Sequence, residues 1–264
     1  MSILVFIPMY NCSAQIPRVL HQLRHPDVAA LIDGVVCIDN QSTDDTAEMA
    51  GGILADLNLG LRVLLSNDDN YGLGGSHKVA INFARKEGFT HLIVLHGDDQ
   101  GSILDIVDSL KNEQHLCNAF LMGARFMPGS RLEGYSPLRT IANRTFNWIF
   151  SLISRKRLYD LGSGLNLFQV SAFDDDFHIK FADDLTFNYY LILALTARKL
   201  SVKFFPLTWR EDDQVSNAKL GKMGMQIIRI LTLRLISRRK FLHGEHRQIA
   251  RATYSSTEIG RWRL

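Results

Sequence analysis

The side chains able to act on a ligand fall into three groups within the first hundred residues, each just after a run of apolar residues. The densest is Leu95-His96-Gly97-Asp98-Asp99-Gln100, where two adjacent carboxylates follow a hydrophobic stretch. Neighbouring carboxylates repel one another unless a cation or several donors relieve them. A divalent ion does so. Oxygen ligands with open positions suit Mg2+ or Mn2+ bridging a diphosphate, and His96 tilts the choice toward Mn2+. The plain alternative is a helix N-terminus carrying acids. The second group runs from Ile38 through Asp39, Asn40 and Gln41 to Thr46. A carboxylate at Asp39 can accept two hydrogen bonds from a planar base or a ribose, or it can simply close a turn. The third group is Asn67-Asp68-Asp69-Asn70-Tyr71-Gly72-Leu73-Gly74-Gly75-Ser76-His77-Lys78. Glycines before a helix let backbone amides approach a phosphate, and Lys78 adds charge in the first turn. Neither the GxxxxGK[ST] spacing nor the full GxGxxG fingerprint is present, so tight packing explains these glycines equally well.

Bringing the three groups together requires strands whose ends share one edge. Residues 1–125 alternate β-branched apolar runs with helical segments, the pattern of a parallel sheet covered by helices. Strands are predicted at 3–7, 34–38, 61–65, 91–95 and 119–122, with helices near 15–23, 44–57, 76–86 and 103–111. In such a sheet ligands bind beyond the carboxyl ends of the strands, where all three groups lie. After residue 125 the pattern predicts a helix at 137–153, a strand at 166–170, a long helix at 183–199 and a last strand at 202–205. Beyond Gly221 the chain reads as an arginine-bearing helix without a clean apolar face.

The 264 residues, 46% hydrophobic and 22% charged, suit one large α/β domain, alone or with an appended tail. No apolar stretch approaches the roughly 20 residues that span a bilayer, so no transmembrane helix is expected. The N-terminus MSILVFIPMYN lacks the basic flank of a signal peptide and reads as a buried strand. Cys12, Cys37 and Cys117 are odd in number and far apart, which argues against a disulfide framework or zinc cluster and for a reducing cytoplasm. The net charge of +3 conceals an asymmetry. Residues 219–264 hold eleven basic and two acidic side chains, net +9, leaving −6 for residues 1–218.

Taken in order, FIPMYN, CIDNQSTDDT, NYGLGGSHKVAINFA, VLHGDDQ, GARF, GSRLEGY, LGSGLNLF and WREDDQVSNAKL resemble the family 2 glycosyltransferases of GT-A fold. They most resemble the branch similar to polyprenyl-phosphate sugar (dolichyl-phosphate mannose) synthases, over about residues 3–220. The resemblance implies a GT-A domain over 1–220, a mixed, mostly parallel sheet flanked by helices, followed by a basic helical extension over 221–264. It also implies a nucleotide-diphosphate sugar donor at the strand ends. Pro8, Tyr10 and Asn11 would line the nucleotide pocket, Asp39 would hold the base or ribose, and Asn70, Gly74, Gly75 and Lys78 would sit beside it. The family's D-x-D signature falls on His96-Gly97-Asp98, so Asp98 matches the metal-binding acid and His96 replaces the other. Arg125 and Arg131 match positive positions near the acceptor, and Asp160 with Ser163-Gly164 matches a D-x-x-S/T-G element. Arg210, Ser216 and Lys219 match a segment that folds over the diphosphate, for which arginine's planar fork is suited.

Inverting transfer is a single displacement in which the acceptor attacks as the nucleoside diphosphate leaves, its charge stabilised by metal and arginine. A hydroxyl acceptor also needs a carboxylate to take its proton. The family's position for that acid falls at 188–190, which holds Asn188, Tyr189 and Tyr190. The nearest acids, Asp183 and Asp184, either serve as base or cap the helix. A polyprenyl phosphate, already anionic, needs no base. The missing acid and the basic tail then share one cause, a phosphorylated lipid at an anionic membrane, with Arg234, Arg238, Arg239 and Lys240 as surface anchors worth about 1 kcal/mol each. A solvated helix or an oligomer contact explains the tail otherwise. Nucleic acid is disfavoured because no reading motif is present. A sugar nucleotidyltransferase would carry a glycine-rich basic loop where this chain has Pro8-Met9-Tyr10-Asn11-Cys12-Ser13. A silent nucleotide-sugar-binding protein is kept open by His96 and the absent acid.

Overall fold

The computed structural model describes residues 1–211 and 220–264, the side chains of the latter part from 224 onward. The strands are β1 (Ile3–Met9), β2 (Gly34–Asp39), β3 (Leu61–Asn67), β4 (His91–Leu95), β5 (Phe120–Ala124), β6 (Arg131–Glu133), β7 (Leu165–Gln169), β8 (Val202–Pro206), β9 (Thr208–Arg210) and β10 (Ser256–Arg263). The helices are α1 (Ile16–Gln22), α2 (Pro26–Ala29), α3 (Thr46–Asp56), α4 (Gly72–Lys86), α5 (Leu104–Lys111), α6 (Gln114–Cys117), α7 (Pro137–Ser154), α8 (Phe187–Ala197), α9 (Leu220–Ile236) and α10 (Arg238–His243).

Eight strands form one sheet in the order β10-β3-β2-β1-β4-β7-β5-β8, and β6 pairs with β9 beside it. Strands β1 to β4 are mutually parallel, β7 runs against both β4 and β5, and β10 runs against β3. Because side chains alternate across a strand, Leu4 and Phe6 enter one core with Val36, Val94, α4 and α8, while Val5 and Ile7 enter the other with Cys37, Ile93, α1 and α5. Both faces are covered, which is why these strands read as unbroken apolar runs.

The predicted strands of the first half are present; β4 ends as expected, and β1, β2, β3 and β5 run a residue or two further at their carboxyl ends. Three differences matter. Helix α8 begins at Phe187 rather than 183, because Asp183 and Asp184 are engaged in the turn before it. The short pair β6–β9 carries no periodic signal. The extension expected to be helical is so only through α10, and Ser256–Arg263 instead forms the edge strand β10. The physical reason is β3, whose outer edge would otherwise present a row of unpaired backbone groups. On β10, Arg261 also pairs with Glu87 at 3.0 Å and Glu258 at 2.8 Å.

Two histidines are enclosed in the core. His77 lies against Phe6 and Phe187, and His178 against Phe173. Burial pushes each down to about 3 from an ordinary 6.5. Between those values the unfolded chain binds protons that the native state excludes, so stability declines as pH falls from 6.5 toward 3. Each histidine contributes a slope of at most about 1.4 kcal/mol per pH unit. Urea midpoints taken at pH 7 and pH 5 should fall accordingly, and His178→Leu should flatten the dependence. A midpoint indifferent to pH in this window would refute the account.

Candidate active site

The carboxyl ends of β1, β2, β3 and β4 share one rim, and backbone and side-chain bonds join the loops that leave them. Gly97 N donates to Pro8 O at 3.2 Å, and Asn40 N to Met9 O at 2.9 Å. Asn11 receives Thr43 N at 2.8 Å through its side-chain oxygen and donates its own N–H to Ser42 Oγ at 3.0 Å. Gly97 is required here, since a Cβ would stand 2.8 Å from Pro8 O. Asp39 is buried. One of its oxygens accepts Ser42 N at 3.1 Å, while Oδ1 is buried without a partner, an acceptor suited to a donor on a ligand. Tyr10 is half exposed above this floor. Asn40 and Asn67, which stand in the sequence groups but were given no ligand role, carry the neighbouring loop. Asn40 Oδ1 receives Asn67 Nδ2 at 2.8 Å and Tyr71 N at 2.9 Å, and Asn40 Nδ2 reaches Asn70 Oδ1 at 2.7 Å.

Beyond β4 the two acids diverge. Asp99, in a left-handed conformation (φ 57°), accepts Arg18 Nε at 2.6 Å and Gln22 Nε2 at 3.1 Å, with Arg210 Nη2 at 3.5 Å. The repulsion expected between Asp98 and Asp99 is thus relieved on one side by cations of the chain itself. Arg18 and Gln22 both lie on α1, some 80 residues away, with no sequence signal to mark them. Asp98 lies beside His96, whose Nδ1 is 3.9 Å from its Oδ2. Burial pushes Asp98 up to about 6 and His96 down to about 4, so the imidazole is neutral at pH 7. His96 Nε2 is buried without a partner. Gly164 admits this ring, because a Cβ there would stand 2.9 Å from His96 Cγ. Arg210 N donates to Gln100 O at 2.9 Å, so β9 brings that cation to the same loop.

No group of three or more metal-ligating side chains converges among the described residues. His96 and Asp98 nevertheless form a two-donor set, a neutral ring nitrogen and a carboxylate disfavoured by its surroundings. That suits a divalent ion whose other positions are filled by diphosphate and water.

Several expected ligand contacts are instead structural. Lys78 is fully buried, and its ammonium donates to Asp183 Oδ1 and Phe181 O, both at 2.6 Å, and to Tyr254 OH at 3.1 Å. All three donors are used, leaving none for a phosphate. Burial still lowers it to about 8, against the pull of Asp183. Gly74 and Gly75 aim their amides at Asp183 O, at 2.7 and 3.2 Å, and a Cβ on Gly74 would stand 2.7 Å from Phe187 Cβ. Their role is close packing. Asp183 is accordingly occupied as an anchor, and Asp184 Oδ1 caps the next turn through Thr186 N at 2.8 Å and Oγ1 at 2.6 Å. Arg125, expected at the acceptor, grips Asp160 through Nε at 2.7 Å and Nη2 at 2.8 Å, with its plane near Trp209 at 4.9 Å. Asp160 also receives Arg125 N at 2.9 Å and Leu161 N at 2.7 Å. Burial opposes its ionisation, yet Arg125 and these donors hold it below the usual carboxylate range. Arg131 lies on β6. Ser216 and Lys219 lie outside the described residues.

A mostly parallel sheet with helices on both faces, its ligand groups gathered at the carboxyl rim, is the architecture of the GT-A glycosyltransferases. The glycosyl transferase family 2 profile matches residues 4–172, and the chain belongs to that family. Among curated proteins no sequence match is found. Among solved structures, S. aureus TarS 1-349 in complex with UDP-GlcNAc is 17% identical, with a TM-score of 0.59, over 90% of this chain and 67% of that one. M. tuberculosis glucosyl-3-phosphoglycerate synthase in complex with UDP is 17% identical, with a TM-score of 0.62, over 88% and 79%. The same synthase with Mn2+, UDP and glucosyl-3-phosphoglycerate is 16% identical, with a TM-score of 0.62, over 99% and 87%. These similarities establish a common fold.

Proposed function

We propose that this family 2 glycosyltransferase moves a hexose, with inversion, from a nucleoside diphosphate to a phosphorylated lipid at the cytoplasmic face of a membrane. In this it would act like the polyprenyl-phosphate sugar synthases and serve envelope polysaccharide assembly. The observation that carries the donor half is the buried, unpartnered Asp39 Oδ1 on the same rim as the unpartnered His96 Nε2, with the Asp98 carboxylate next to that ring. Asp39 accepts from base or ribose, Tyr10 and Pro8 border that pocket, and Arg210 faces the departing diphosphate. Asp98 and His96 would hold a divalent ion, which when bound would supply charge neutralisation at the same diphosphate.

The acceptor half draws on a cleft of about 560 Å3 between α7 and residues 155–159, which adjoins Phe126 and hence Arg125. Arg144, Arg155, Lys156 and Arg157 line it beside Trp148 and Tyr159, with no acid in the lining. Its helix exposes Leu138, Ile141, Trp148 and Leu152, and the adjacent α9 exposes Met225, Ile228 and Leu235. Apolar side chains spaced three, four or seven apart, bordered by cations, suit the boundary of an anionic bilayer. No helix among the described residues is long and apolar enough to cross a membrane. Arg234, Arg238, Arg239 and Lys240, on α9 and α10, remain candidate anchors. Arg247, Arg251, Arg261 and Arg263 are paired with Glu245, Asp69 and Glu87 and do not. A phosphate oxygen attacks without losing a proton, which fits a site where Asp183 is occupied and Asp184 serves as a cap.

UDP, GDP, CMP and dTDP sugars, screened by thermal shift with and without Mn2+, should include one that raises the melting temperature, because ligands bound only by the native state stabilise it. That donor should then label polyprenyl phosphate in vesicles, and Arg155→Glu with Lys156→Glu should weaken sedimentation with anionic vesicles. Absence of a shift with every donor would sink the proposal. Binding without transfer to any acceptor would favour a silent nucleotide-sugar-binding protein, the reading suggested by His96 in place of an acid.

A further inference from the structure

We infer that residues 247–257 form a strap that holds the donor pocket in its binding geometry, with Arg251 and Tyr254 as positioning residues; this rests on the donor reading above. The strap reaches the pocket from the far end of the chain. After α10, His246 stacks on Tyr190 with ring centres 4.6 Å apart, and the chain then crosses the loop between β3 and α4 before entering the sheet as β10.

It holds that loop at two points. Arg251 Nη2 is 2.8 Å from Asp69 Oδ2, and its guanidinium lies 4.9 Å over the Tyr71 ring. Tyr71 N and Asn70 Oδ1 are both bound to Asn40, the neighbour of Asp39, so this contact is one step from the carboxylate that faces the nucleotide. Tyr254 OH donates to Asp183 Oδ1 at 2.6 Å and receives Lys78 Nζ at 3.1 Å, while Asp183 O receives the first amides of α4. The Tyr254 ring packs edge-on against Tyr71 at 5.3 Å. Between these points Asp68 N donates to Ser255 O at 3.3 Å, and Thr257 Oγ1 to Asp68 Oδ1 at 3.0 Å. A polar loop, Asn67 to Asn70 with two adjacent acids, is thus ordered before any ligand arrives. Ordering it only on binding would cost conformational entropy and weaken affinity without altering chemistry at the anomeric carbon.

The strap therefore has a kinetic signature that covering a sheet edge lacks. Arg251→Ala and Tyr254→Phe should each raise the donor KM, and the Kd for UDP or GDP, roughly tenfold with kcat nearly unchanged, the mark of lost uniform binding. Arg251→Lys should recover part of the affinity. Arg261→Ala, which breaks the Glu87 and Glu258 pairs on β10 away from the pocket, should lower the melting temperature and leave Kd alone. Titration of the full chain with UDP and GDP in the presence of Mn2+ reads all four variants. The inference is overturned if the two strap variants bind as the wild type does, if kcat falls with KM unchanged, or if Arg261→Ala weakens binding as much. If UDP and GDP do not bind the wild type, the same titration with the CMP and dTDP donors reads the variants; a wild-type chain that binds none of the four would remove the donor reading itself, a result separable from these.

Discussion

Alanine at Asp98 is expected to abolish the metal-dependent part of donor binding and to lower kcat/KM by roughly a hundred- to a thousandfold, the usual effect of removing one charge-stabilising group from a transferase site. The size follows from how little else is available. Asp99 is held by Arg18 and Gln22 and approached by Arg210, so its charge is largely spent. His96 is neutral and has one unpartnered nitrogen. Asp98 is the remaining carboxylate of that loop, and burial makes its ionised form costly unless a cation lies beside it. Asp98→Asn should be nearly as damaging, because it keeps the shape and removes the charge. Initial rates over a Mn2+ titration, with melting temperature as a control for folding, measure this. Metal-dependent stabilisation that survives in Asp98→Ala would show that the ion is held elsewhere.

Arg125→Ala is expected to destabilise the protein by about 3–5 kcal/mol, the cost of leaving a buried charge without its partner. Asp160 would lose two guanidinium bonds while remaining almost wholly buried, with only the backbone amides of residues 125, 161 and 162 to support it. Asp160→Ala should cost a similar amount by stranding Arg125 between Trp209 and Phe126. The double replacement should cost clearly less than the two single changes combined, since residues in one ion pair are not independent. Urea unfolding of the four proteins gives the coupling directly. Additive losses would mean that Arg125 acts elsewhere, for instance on the acceptor. The pair also bears on the reaction at a distance, because the Arg125 charge favours the ionised form of Asp98 and the neutral form of His96.

Both effects involve residues named from the sequence, but the position of one was legible there and the ion pair of the other was not. Asp98 stands at the end of an apolar run, and a parallel sheet directs all such ends to one rim. Asp39 was singled out by the same logic, whereas Asn11 was named only through the family resemblance. Lys78 was misread because a lysine after glycines at a helix start suggests a phosphate site, whereas a carboxylate 105 residues later takes its ammonium. Arg125 was expected near the acceptor by resemblance, and its spacing from Asp160 carries no periodicity that would have revealed the pair.

What the amino-acid order alone determined is the local and the repetitive: where most strands of the first half lie, that they are apolar on both faces, and which polar groups stand near their carboxyl ends. These follow from side-chain alternation and backbone preference within a few residues. The tertiary structure decided how the charges are spent. It set Arg18 and Gln22 on Asp99, Arg125 on Asp160 and Lys78 on Asp183, and returned the basic tail to the sheet as β10 over the donor loop. A buried charge must find its partner wherever the fold brings one, and a sheet edge must be covered by whatever segment can reach it. Partnerships over such separations leave no trace in any short stretch of the chain.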